Sequence, residues 1–182
     1  MLFAILLGIT FLFFLTAALL VFFGLRETTL SGWEKLPRNR PVGGILGLLS
    51  LLAFIPNVRP LFSPEDYLAA LILAAFILAG LCYAYLDYLF ARAFAGALIL
   101  LAHASMIESF GAGLPGSGFF ALMSLTGGTF GIFIAAKPHW LRDLFRLLAR
   151  SAAWRLAVSL FCAAWSVSAL ILLIPQVGRL LR

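Results

Sequence analysis

Apolar runs of roughly bilayer length alternate along this chain with short polar breaks. They cover about residues 2–24, 42–62, 65–87, 92–109, 119–136 and 154–175. A hydrocarbon core about 30 Å thick needs about 20 apolar residues to cross it as a helix. Lipid cannot satisfy a backbone N–H or C=O, so each run must bond internally. The pattern predicts an all-α polytopic transmembrane helical bundle of six spans. The breaks carry matching end signals. Pro41 suits a first helical position, and Pro56 and Pro60 mark the far end of the second run. Ser63-Pro64-Glu65-Asp66 offers a cap and two acids to the positive end of the third helix. Residues 111–118, rich in Gly, Pro and Ser, read as a loop, and Pro175 ends the last run. The break between the third and fourth runs has only Asp87 and Arg92 as markers, but 65–109 is too long for one span. The first run lacks a basic leader and a small-residue cleavage site, so it reads as an uncleaved span.

Residues 138–150 follow a different period. Arg142, Asp143, Arg146 and Arg150 share one arc of a helical wheel, while Trp140, Leu141, Leu144, Phe145, Leu147 and Leu148 fill the other. Such a helix, started by Pro138, lies flat in the interface with its arginines toward headgroups. It is either an anchor that sets the depth of the bundle or a docking surface built on Trp140, Arg142, Arg146 and Arg150.

Composition strengthens the membrane assignment. The chain is 64% hydrophobic and 11% charged, whereas soluble domains are about half apolar and a quarter charged. The net charge of +6 would suggest nucleic acid in a soluble protein. Here it is confined to loops, so the expected partners are the lipid bilayer and its anionic headgroups, and not nucleic acid. One cluster holds Arg26, Lys35, Arg38 and Arg40, the other Lys137, Arg142, Arg146, Arg150 and Arg155. Six spans put both on one side, together with Arg92. The positive-inside rule makes that side cytoplasmic and leaves both termini outside, with Arg179 and Arg182 mildly opposed. Broken by Pro37 and Pro41, the first cluster reads as a solvated linker.

Candidate chemistry is sparse. His103 falls inside the fourth span, about 17 Å from its inner end. Intramembrane ionisable groups are functional candidates by default, but a neighbouring helix is the commoner partner for such a side chain. Glu108, five residues on, points about 140° away, so the two are no local acid–base pair. Asp87 and Arg92 read as an ion pair or cap at their turn. Cys82 and Cys162 lack metal or redox spacing and read as small buried hydrophobes. A bis-histidine haem needs a second buried His, zinc lacks convergent ligands, and no cofactor is expected. Small residues recur at four-residue spacing in Gly43/Gly47, Ala91/Ala95 and Gly127/Gly131, which permits close helix packing or an oligomer seam. In the fifth span Ser124, Thr126, Gly127, Gly128, Thr129 and Gly131 fall together, where they pack or line a solute cavity. Ile55-Pro56-Asn57-Val58 and Ile174-Pro175-Gln176-Val177 form a short internal echo.

Two resemblances add to these readings. Trp33…Pro37-Arg38-Asn39-Arg40-Pro41…Gly44, Phe90-Ala91-Arg92-Ala93-Phe94 and Trp154-Arg155 loosely resemble uncharacterised small multi-span inner-membrane proteins of bacteria such as the Verrucomicrobia group. That likeness implies a bacterial inner membrane and carries no assigned activity. Leu125-Thr126-Gly127-Gly128 with Gly131 is similar to a Gly-rich stretch in the vitamin-binding S components of energy-coupling-factor transporters, over one helix only. The expected role is a non-enzymatic accessory or scaffold subunit, bound to a partner subunit or to a second copy. The alternative is an S-component-like carrier for a small solute, and an intramembrane enzyme ranks third.

Overall fold

The structure, a computed structural model, describes residues 2–58, 67–112 and 117–180. Its α-helices are α1 (Leu2–Leu19), α2 (Leu30–Lys35), α3 (Arg40–Val58), α4 (Tyr67–Tyr85), α5 (Leu89–Ala112), α6 (Ser117–Ala136), α7 (His139–Arg150) and α8 (Ala152–Leu180). Among the described residues, five stretches are each long and apolar enough to cross a membrane: Ala4–Gly24, Tyr67–Tyr85, Leu89–Gly111, Ser117–Ala136 and Ala152–Gly178. The sixth candidate is a bent pair, Glu27–Arg38 with Arg40–Pro56, broken by 53°. The chain is an all-α multi-pass membrane protein. Large apolar side chains such as Ile9, Leu73, Ile132 and Ile174 are exposed around the bundle, as lipid solvation allows.

Several boundaries differ from the expected ones. The fourth span begins at Leu89 rather than 92, because Leu86, Asp87 and Tyr88 alone make the preceding turn. Tyr88 sits at φ 55°, a left-handed conformation that is costly for a bulky residue. Arg38 holds it there. The guanidinium donates a 2.8 Å hydrogen bond to the Tyr88 hydroxyl, and its carbon lies 4.9 Å from the ring centre. Pro175 does not end the last helix, which runs on to Leu180. A proline removes one intrahelical bond and need not stop a long helix near its end. The Ser63-Pro64-Glu65-Asp66 start signal, residues 59–62 and residues 113–116 of the expected 111–118 loop lie outside the described residues.

The helices pack mainly in a few pairs: α1 against α8, α5 against α6 and α3, and α3 against α4. The largest core joins Leu7 and Phe14 of α1 to Leu98 of α5, Phe120 and Met123 of α6, and Cys162, Trp165, Ala169 and Leu172 of α8. Trp165, 1% exposed, stacks on Phe14 with ring centres 3.8 Å apart and meets Phe161 edge-on. Without a hydrophobic drive between helices in lipid, close packing and polar contacts hold them together. Ser166 donates 3.1 Å across to the Phe11 carbonyl. α4 is the outlier, burying only Ala75.

Candidate functional site at the basic face

The first basic cluster is not a solvated linker. After α1, a wider helical turn over Leu20–Gly24 ends the span, and the freed Gly24 carbonyl accepts from Thr29 Oγ1 at 2.6 Å and Trp33 Nε1 at 3.2 Å. These bonds fold the chain back over the bundle so that α2 lies on α7. Trp33 meets Phe145 edge-on at 5.6 Å, beside buried Leu25, Leu148 and Ala149. Glu34 on α2 accepts a short charged hydrogen bond from Arg146 Nε on α7. That bond, more than any other contact, holds the Glu34 carboxyl below its ordinary range and raises Arg146 in turn. Arg155, at the start of α8, reaches the carbonyls of Leu25, Leu148 and Ala149 at 3.4–3.5 Å, where a cation suits the negative end of α7. Arg40 pairs with Asp87 at 4.0 Å, rather than Arg92 doing so. These contacts put all three basic loops on one face. Ten of the thirteen Lys and Arg residues lie there, and the acids beside them among the described residues are Glu27, Glu34, Asp87 and Asp143.

α7 is the interfacial helix the wheel predicts, but its two arcs are used differently. Leu141, Leu148 and Ala149 are buried against the protein, while Trp140 and Leu147, one heptad apart, stay exposed. Lys137 lies over the Trp140 ring at 5.0 Å, and Phe133 stacks beneath it. Of the arginines expected to face headgroups, Arg146 is turned instead onto α2, and Arg142 leans on Asp143 at 3.6 Å. Arg150 remains exposed. No periodicity foretells α2's docking, since six residues are too few to show one. An acid, Glu34, set beside Lys35 in a basic stretch was the available signal.

The α6 residues do not surround a cavity. Gly127 is covered by Trp165 and Gly128 by Ala102, while Gly131 faces the Ala95 carbonyl and Ile99. Their absent side chains admit α5 and α8. Ser124 is buried and donates to the Phe120 carbonyl at 2.9 Å. Thr126 and Thr129 face outward and bond back to Leu122 and Leu125. His103 is exposed on the outer side of α5 rather than set against a neighbouring helix. A cavity of about 480 Å³ lies elsewhere, between α3, α4 and α5, lined by Gly43, Gly47, Ser50, Cys82, Arg92 and Gly96 among others. Among the described residues no group of three His, Cys, Asp or Glu side chains is placed to hold a metal ion. No family model matches the chain, and no curated protein or solved structure does either.

Proposed function

We propose that the chain is a non-enzymatic accessory or scaffold subunit of a bacterial inner membrane, with its basic face in the cytoplasm and both termini outside. The observation that carries this is the α2–α7 clasp. It turns two charged loops into one folded surface, fixed by Glu34–Arg146, Trp33–Phe145 and Arg155. Flexible loops would serve orientation alone; a surface held in one shape favours a partner with a fixed complement. Arg26, Lys35 and Arg150 stay exposed on it and make no ion pair among the described residues. Their charge suits an acidic partner surface. The cytoplasmic orientation rests on the positive-inside rule, and the bacterial membrane on the resemblance in the loop residues.

Purification in mild detergent followed by mass spectrometry tests the role. A partner should be retained in constant ratio and lost in Lys35→Glu with Arg150→Glu, while the variant keeps its monodisperse profile. Wild-type protein that elutes alone, or a partner indifferent to both reversals, would overturn the scaffold reading.

A further inference from the structure

We propose that the cavity between α3, α4 and α5 binds one anionic phospholipid from the basic-face leaflet. Its position carries the argument. On α3 the lining runs from Gly43 to Phe54, a depth of about 16 Å at 1.5 Å per residue. That is about half of a 30 Å hydrocarbon core, so the groove spans one leaflet and stops. Its volume, about 480 Å³, falls among preformed ligand sites of about 300–1,000 Å³. The walls are apolar, and the Ser50 hydroxyl is already spent on the Leu46 carbonyl at 2.8 Å. Such a slot takes an acyl chain.

The charge at its mouth selects the headgroup. Arg92 lines the cavity in the first turn of α5, where the helix end is already positive and a cation is disfavoured. Arg40 is engaged with Asp87 and Arg38 with Tyr88. Arg92 has no side-chain hydrogen bond or ion pair among the described residues, and an anion at headgroup level completes it. A phosphate there, with its chain running down between Gly47 and Gly96, satisfies charge and shape together.

Cys82 lines the same groove and reports on occupancy. In a Cys162→Ala background, N-ethylmaleimide should alkylate Cys82 of detergent-solubilised protein. Dioleoyl phosphatidylglycerol should slow the reaction at about tenfold lower concentration than dioleoyl phosphatidylcholine, the scale of one part-exposed charged contact. Glycerol phosphate should have no effect. Arg92→Gln should abolish the preference between the two lipids. Gly96→Leu, whose Cβ would meet nothing within 4 Å, should fill the slot and remove lipid protection while gel filtration and helix content stay unchanged. Equal protection by both lipids in the wild type would overturn the proposal, as would protection by glycerol phosphate alone. Protection that rises with protein concentration, without added lipid, would assign the groove to a second copy of the chain.

Discussion

A methyl group at position 127 would run into the Trp165 ring. That ring cannot step aside, because Phe14 stacks on one face and Phe161 closes its edge. Gly127→Ala should therefore lose about 1–3 kcal/mol, the usual cost of overpacking, in a denaturation titration in detergent. Gly8→Ala, with nothing within 4 Å, should leave the midpoint unchanged. Trp165→Phe should recover part of the Gly127→Ala loss by shrinking the obstacle, whereas a glycine needed to line a solute cavity would show no such coupling. His103 makes the opposite case. A spanning helix is apolar nearly all round, so the sequence marks how deep a residue sits but not which way it faces. That His103 falls within a spanning helix was legible for that reason, and its outward direction was not.

Among the elements, the α2–α7 clasp depends on a charge that acid removes. The pairing lowers the Glu34 pKa from the usual 4.5. A carboxyl depressed on folding contributes fully above its unfolded pKa, and the contribution fades as pH falls through the folded value. Between neutral pH and about 5 the clasp should stay closed, then loosen below 4.5. The Trp33 contribution to emission, taken as wild type minus Trp33→Phe, should follow that transition. Glu34→Gln should abolish its pH dependence at Glu34 and leave α2 partly released at neutral pH. High salt should weaken the same contact, because both side chains are partly exposed and screening reaches them. Five of the expected spans were legible because hydrocarbon thickness imposes a length. The fold of the basic loops was not, since a six-residue helix and a left-handed Tyr88 depend on partners far along the chain, Arg146 and Arg38.

At the scale of the whole molecule, the contacts among Arg38, Tyr88, Glu34, Arg146 and Arg155 require the segments 26–40, 86–88 and 137–155 to share one side. Leu36→Cys and Leu114→Cys should therefore label from opposite sides of sealed vesicles, and labelling from the same side would sink the six-span arrangement. α1 carries a second consequence. Its main partner is α8, and the Leu7, Phe14 and Ala18 positions that α8 helps to cover are finished early in synthesis, about 150 residues before it. Until then α1 waits in the bilayer with that stripe against lipid tails, its Phe11 carbonyl without the Ser166 hydroxyl. Closure of the bundle is thus a late event. A chain stopped before Ala152 should insert with normal topology yet remain sensitive to membrane proteases, and α8 supplied as a separate peptide should restore resistance. The order of manufacture makes the last helix the one that locks the first.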